Sequence, residues 1–327
     1  MIRTLYRAPD GTFHVDIPLT ALPDALRQPE GLVWVTIADE PDRVVEPLLR
    51  QVFGFHPLAV DDALNETHLP KVDDWGDYLY LVLRSLEFDA RKLEIETPEL
   101  DIFIGKHYLV TYQQKPMTAV QHIWETCQQD ERYVRSGADH LLYRLIDELV
   151  TSYIMVLEQV DDLLDDLEDE IFARPNGNVL TRLFALKRVV IALRRTLGPQ
   201  REMLNKLARD EYTVIDARER VFFRDIYDHL MRLHEISEGQ RDLVGGALDT
   251  YLSVVNNRMN DIMKTLTIIT TFFMPLTFLT GFFGMNFFQA VIPLPGWTGR
   301  LTFTLTLIVM CISPLIMYWW MRRREWM

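Results

Sequence analysis

Asp249, Asn256, Asn260, Met263, Thr267, Thr270, Met274, Thr277 and Gly281 follow one another at steps of three, four or seven residues, so a helix places them near one side. The chemistry of that side is amide, hydroxyl and thioether, with no carboxylate in its apolar part. Turned toward lipid, such groups would lose hydrogen bonds; turned toward an axis shared with identical helices, they would line a wet path. Stacked copies would form an amide ring at Asn260 and a carboxylate ring at Asp249 below it. Met263, Leu266 and Met274 would make apolar constrictions that close by excluding water. The plainer alternative is that the threonines and methionines only help helices pack.

The same stretch ends in Gly281-Phe-Phe-Gly284-Met285-Asn286. Gly284 permits a helix exit or a close backbone approach. Asn286 then offers an amide oxygen beside main-chain carbonyls. Mg²⁺ prefers oxygen ligands and gives up its water reluctantly, so a ring of neutral oxygens can hold the hydrated ion through its water hydrogens.

These residues require a membrane. No Asp, Glu, Lys or Arg occurs between Lys264 and Arg300, nor from Leu301 to Met321. Each run supplies a helix of about 20 apolar residues, enough to cross roughly 30 Å of hydrocarbon. The reading is a first span over about 266–283, an outer loop over 284–300 and a second span over about 301–320; a buried hairpin in a soluble protein is the rival. Arg258 and Lys264 precede the first span and Arg322 to Arg324 follow the second, which places both ends in the cytoplasm, with Arg300 a single opposing charge. Trp297, Trp319, Trp320 and Trp326 suit interfacial belts.

Ahead of the spans lie long helices. Apolar residues recur helically from Leu141 through Ile154 to Ile171, and Pro175–Asn176–Gly177 ends that run. A second helix follows from about Val179, with a kink or break expected at Gly198–Pro199. The third runs from Val221 into the first span, about 60 residues or roughly 90 Å, with a bend allowed at Gly245–Gly246. A helix that long needs partners, most simply copies of itself.

The first 130 residues or so read as a mixed α/β domain. Strands are expected at Gly31–Ile37, Tyr78–Leu86, Glu99–Ile104 and His107–Tyr112, and helices at Pro41–Val52 and Pro57–Glu66. The resulting division is an α/β cytosolic domain over 1–135, a long-helix bundle with the cytosolic part of the pore helix over 136–264, and a transmembrane hairpin with a basic tail over 265–327.

Composition narrows the function. A net charge of -13 disfavours a nucleic-acid partner. Eight of the thirteen residues from Glu158 to Glu170 are acidic, a face that can solvate a long helix or attract cations. Two cysteines, Cys127 and Cys311, make neither a disulfide framework nor a ligand cluster. No cleaved secretory signal is visible. His56, His68, His229 and His234 form no recognised catalytic set, and neither an enzyme nor a bound cofactor is expected.

The segment Tyr251 to Asn286, YLSVVNNRMNDIMKTLTIITTFFMPLTFLTGFFGMN, resembles the pore helix and GMN signature of the CorA family of magnesium and cobalt transporters. Phe53 to Asp77, FGFHPLAVDDALNETHLPKVDDWGD, resembles that family's cytosolic domain, and the terminal arginines with Trp326 look like its basic tail. The resemblance implies a CorA-like funnel, a homopentamer in the inner (plasma) membrane, with both termini cytoplasmic. By that likeness Gly284, Met285 and Asn286 form the outer selectivity element and Asn260 holds a hydrated ion near the inner end. Met263, Leu266 and Met274 look like the gate, Thr277 and Gly281 line the outer half, and Asp249 matches an acidic entrance ring. Family members also sense intracellular Mg²⁺ through acidic residues between subunits, and Asp225 is the candidate for one side of such a site. The implied mechanism is passive, driven by membrane potential, with Mg²⁺ as transported and regulatory ion and Co²⁺ and Ni²⁺ as further substrates.

The chain departs from the family after the signature. Where relatives often carry Met-Pro-Glu-Leu, Asn286 is followed by FFQAVIPLPGWTG, without an acid. A zinc or broad divalent-cation transporter, coupled or not to protons, therefore stays open, although a pore face without Cys, His or carboxylate argues against dehydrated Zn²⁺. A membrane-anchored metal sensor or scaffold is the alternative from another class.

Overall fold

The computed structural model of the chain describes residues 1–65, 69–130, 132–285 and 300–324. Two compact units emerge, Met1–Asp249 and Thr250–Met327.

The first unit begins with strands β1 (Ile2–Arg7) and β2 (Phe13–Val15), helix α1 (Leu22–Leu26) and strand β3 (Leu32–Ala38). Helices α2 (Asp42–Pro47) and α3 (Pro57–Leu64) follow, then β4 (Lys71–Asp74), β5 (Tyr78–Arg84), the short hairpin β6 (Glu87–Asp89) and β7 (Glu94–Glu96), β8 (Glu99–Gly105) and β9 (Tyr108–Gln113). The main sheet runs β2-β1-β3-β9-β8-β5-β4. The β3–β9 pair is parallel and its neighbours are antiparallel. Both β3 and β8 are buried along their whole length. Their near-continuous apolar runs are what a sheet covered on two faces requires.

One face packs Val35, Ile37, Val82, Phe103 and Val110 against Val45, Leu49 and Val60 from α2 and α3 and the turn between them. Pro41–Val52, read from sequence as one helix, is divided: α2 ends at Pro47 and a wider turn of helix spans Leu48–Val52. Pro47 has no N–H to continue the regular ladder, and the Phe53 N–H instead reaches back to the Leu48 carbonyl at 3.3 Å.

The other face is covered by helices α4 (Thr118–Gln129), α6 (Ala138–Ala173) and α7 (Gly177–Arg209), with the short α5 (Arg132–Arg135) between the first two. Helix α6 contacts β8 and β9, and α7 contacts β4 and β5. The buried stripe of α6 follows the sequence periodicity except at Ile154, which is exposed, while Tyr153 beside it is fully buried. At the start of α7 the Asn176 side chain accepts hydrogen bonds from the Asn178 and Val179 amides at 2.9 and 3.1 Å, a helix cap that fixes the turn. The helix then runs unbroken through Gly198–Pro199, contrary to the expected break. The very next residue, Gln200, is fully buried and hydrogen-bonded to β5 and α6, which holds the helix on the sheet across the missing proline N–H.

Helix α8 (Arg220–Phe283) is a single 64-residue helix, with no break at Gly245–Gly246. Its first part buries Phe223, Ile226 and Leu230. The Gln240 side chain donates to the Leu157 carbonyl of α6 at 2.8 Å, and Arg194 of α7 pairs with Glu238. Ile236, Leu243 and Leu252, also apolar and also on α8, stay about half exposed in the single chain.

The second unit holds the remainder of α8 and α9 (Arg300–Arg323). Both α8 and α9 contain a window long and apolar enough to cross a membrane, and neither window is buried within the chain.

Candidate functional site

Within the second unit the residues Asn256, Asn260, Met263, Thr267, Thr270, Met274, Thr277 and Gly281 all belong to α8. At about 100° per residue they fall within an arc of roughly 100°, with Leu266 at its margin. Asn256, Asn260, Thr267, Thr270, Thr277 and Gly281 are all exposed, and Met263, Leu266 and Met274 are 60%, 63% and 67% exposed. From Asn260 to Gly281 the helix rises about 32 Å, the depth of a hydrocarbon core.

Two of the threonines on this face have a defined hydrogen-bonding polarity. Thr267 donates its hydroxyl to the Met263 carbonyl and Thr270 to the Leu266 carbonyl, each at 2.8 Å. With its proton used on the preceding turn, each hydroxyl presents lone pairs outward. A hydrated cation turns its water hydrogens outward, so oxygen acceptors suit it.

At the C-terminal end of α8, the Gly284 N–H donates to the Thr280 carbonyl at 2.9 Å as the helix finishes, and Met285 follows it, exposed. A Cβ built on Gly284 would lie 2.9 Å from that same carbonyl oxygen. No side chain fits there without moving backbone. Asn286, the third residue of the signature, lies outside the described residues, as do Glu66, His68, Trp297 and Trp326.

Ahead of the apolar part of α8, Asp249 is exposed and is the last residue of the first unit. Asp225 is exposed on the earlier part of α8, and its charge reaches Asp147 on α6. The Asp147 carboxyl is pushed above the usual carboxylate range, first by burial and further by Asp225 and Glu148, against the opposing charges of Arg144 and His229. Sequence reading missed Asp147, because nothing in the spacing of α6 announces which acidic residue will face α8. Among the described residues no group of three or more His, Cys, Asp or Glu side chains is placed to hold a metal ion. The acidic residues Asp161, Asp162, Asp165, Asp166 and Asp169 are exposed to solvent.

At the end of α9 the guanidinium groups of Arg323 and Arg324 lie 5.3 and 5.9 Å from the rings of Trp319 and Trp320. Aromatic bodies with cationic tips at a helix end suit a membrane–water boundary.

Residues 29–323 match the family described as CorA-like Mg²⁺ transporter protein. The chain is 36% identical over 295 residues to the cobalt/magnesium transport protein CorA of Thermotoga maritima, covering 90% of this chain and 83% of that one. It is 26% identical over 277 residues to the zinc transport protein ZntB of Yersinia pseudotuberculosis, covering 83% and 81%. Among solved structures, the complete CorA magnesium transporter from Methanocaldococcus jannaschii shares the fold, with a TM-score of 0.82 at 24% identity over 99% of this chain and 98% of that one.

Proposed function

The chain belongs to the CorA family of magnesium and cobalt transporters, and from that membership we propose that it is one subunit of a homopentameric, passive channel for divalent cations, chiefly Mg²⁺, with Co²⁺ and Ni²⁺ as further substrates. It is a transporter and not an enzyme. The observation that carries the reading is the exposed polar face of α8, which continues as asparagine, threonine and methionine through a membrane-length apolar helix. Alone in lipid that face has no use. Five such faces around an axis make a narrow path lined by oxygen acceptors and interrupted by methionine and leucine rings, which exclude water when they close.

The force is the inside-negative membrane potential, about 2.3 kcal/mol per charge per 100 mV and hence about twice that for a divalent ion. Asp249 would concentrate cations at the cytosolic mouth, Asn260 would hold the hydrated ion, and Gly284, Met285 and Asn286 would select it at the outer turn. Both termini would lie in the cytoplasm. Asp225 is the candidate for one side of a regulatory site for intracellular Mg²⁺ that would draw neighbouring subunits together and favour closure, and Asp147 on α6, which feels its charge, would add to that site.

The similarity to a zinc transport protein keeps one rival in view. Within its membrane-spanning part the pore face offers no Cys, His or carboxylate to a dehydrated Zn²⁺, which favours the hydrated-ion reading. Uptake into liposomes holding the purified chain separates the two. Mg²⁺ entry that follows an imposed inside-negative potential supports the proposal, whereas Zn²⁺ movement that follows a proton gradient, with little Mg²⁺ flux, replaces it.

A further inference from the structure

His234 belongs to the early part of α8 and reaches α7 at Gly198, where a Cβ built on the glycine would meet the imidazole Cε1 at 3.8 Å. Gly198 and the Pro199 that follows it offer the ring no polar side chain. The His234 Nδ1 atom is buried and has no hydrogen-bond partner among the described residues.

That seat suits one protonation state. In the neutral ring one nitrogen donates and the other accepts, so with the proton on Nε2 the buried Nδ1 is a single unused acceptor. In the charged ring both nitrogens donate, and Nδ1–H would be a cationic donor facing no acceptor. An unpaired buried group costs more when it is charged. The contact is therefore built for the neutral imidazole.

The surrounding charges act the same way. Arg194 and Arg201 face the ring from α7, and Glu235 and Glu238 accompany it on α8. Glu238 is already engaged by Arg194, and by Arg241 at 2.8 Å, while Glu235 is exposed to solvent. Burial first and Arg201 second hold the imidazole below its ordinary value of 6.5, against the pull of the two glutamates. Folding thus disfavours this proton: the contact contributes in full above the ordinary value and is lost as pH falls from there through the lowered one. The other histidine of this stretch, His229, lies about 140° away around the helix and acts on Asp147 of α6.

We propose that His234 is a proton-released contact between α7 and α8, in which the neutral ring seats one helix on the other over Gly198 and charging the ring loosens them. The Arg194–Glu238 pair and the Gln240 bond to Leu157 remain, so the helices slacken without separating. The same unbroken helix carries the polar face from Asn256 to Gly281. On the transport reading, on which this consequence rests, acid on the cytosolic side reaches the ion path through α8.

The test is hydrogen–deuterium exchange of the purified full chain in detergent from about pH 7.5 to about pH 5, the range a histidine spans, with labelling times scaled to the intrinsic rate. Peptides over 228–242 and 194–205 should lose protection several-fold as pH falls in the parent chain. In His234→Gln, neutral at every pH, they should hold it. In His234→Lys, charged throughout, they should exchange at neutral pH as the parent does in acid. An equal acid response in the parent and His234→Gln, or a His234→Lys chain as protected as the parent at neutral pH, would overturn the contact. In liposomes at fixed internal Mg²⁺, lowering the internal pH should change the flux of the parent several-fold and leave that of His234→Gln unmoved. Equal pH dependence in the two would overturn the link to the ion path. Exchange is read without flux, so a chain that carries no Mg²⁺ at any pH would refute the transport reading and leave the contact standing.

Discussion

Gln200 on α7 accepts a hydrogen bond from the main-chain N–H of Arg84, the last residue of β5, at 2.8 Å across 116 residues of sequence. Its amide nitrogen donates to the Tyr153 hydroxyl on α6, and that hydroxyl donates to the Arg84 carbonyl. The ring ties both long helices to the end of one central strand.

Replacing Gln200 with Leu leaves the Arg84 N–H and the Tyr153 hydroxyl short of a partner in a buried site. Each such group costs about 1–3 kcal/mol, so a loss of roughly 2–6 kcal/mol and a melting temperature lower by on the order of 10 °C are expected. A thermal melt of the purified chain checks this. A shift smaller than about 2 °C would mean that the ring does not bear on stability.

Asp101 concerns pH. It is buried in the sheet and accepts from the Tyr80 hydroxyl at 2.6 Å. Burial first, and the charge of Glu99 second, hold its carboxyl well above the ordinary value of 3.8. Folding therefore takes up a proton at this site: its contribution is full below the unfolded value and is lost as pH rises through the raised folded value. Asp101→Asn keeps an acceptor for Tyr80 and removes the titration. The variant should gain on the parent as pH rises, by roughly 5 °C at neutral pH. Parallel melting curves from acid to neutral pH would contradict this.

Gly284 tests the outer turn. With only 2.9 Å between a new Cβ and the Thr280 carbonyl, Gly284→Ala must displace the backbone that leads into Met285. Mg²⁺ uptake should fall by about tenfold or more, the effect of roughly 1.4 kcal/mol on a barrier, while the assembled complex elutes normally on size exclusion. Full uptake in the alanine variant would remove the outer turn from the selectivity element.

Asp225 and Asp147 test regulation. In the proposed regulatory site these carboxylates hold a divalent cation, so removing either charge should weaken it. The internal Mg²⁺ concentration that half-closes the channel should rise about tenfold, or about 1.4 kcal/mol, in Asp225→Asn. A smaller rise is expected in Asp147→Asn, whose carboxyl is partly buried. Liposome flux measured against internal Mg²⁺ reads both, and unchanged inhibition in Asp225→Asn would move the regulatory site elsewhere.

Much of this was legible in the sequence, because length and period are direct consequences of geometry. The uncharged runs on either side of Arg300 are each long enough for an apolar membrane-length helix, and the stripe from Asn256 to Gly281 stays on one face of α8 because its steps follow the helical repeat. Other features resisted. The strand β1 is half-buried at both ends, so its alternation is blurred. Helix α4 buries Ala119, Ile123 and Cys127 at four-residue steps, but Gln, His and Glu between them dilute the signal. The run through Pro199 depends on Gln200 meeting Arg84 and Tyr153, contacts remote in sequence. The face of Asp147 toward Asp225 and the seat of His234 over Gly198 likewise exist only once the helices are packed.

The central claim is that the polar face of α8 is the ion path. Single cysteines at Thr270, Met274 and Thr277 on that face, and at Ile269 and Phe272 off it, can be placed in a chain whose own Cys127 and Cys311 are serine, then exposed to a cationic thiol reagent during Mg²⁺ uptake into liposomes. The account expects block at the three face positions, with Ile269 and Phe272 left conducting. Block that ignores the face, or that falls on Ile269 and Phe272 alone, would contradict it.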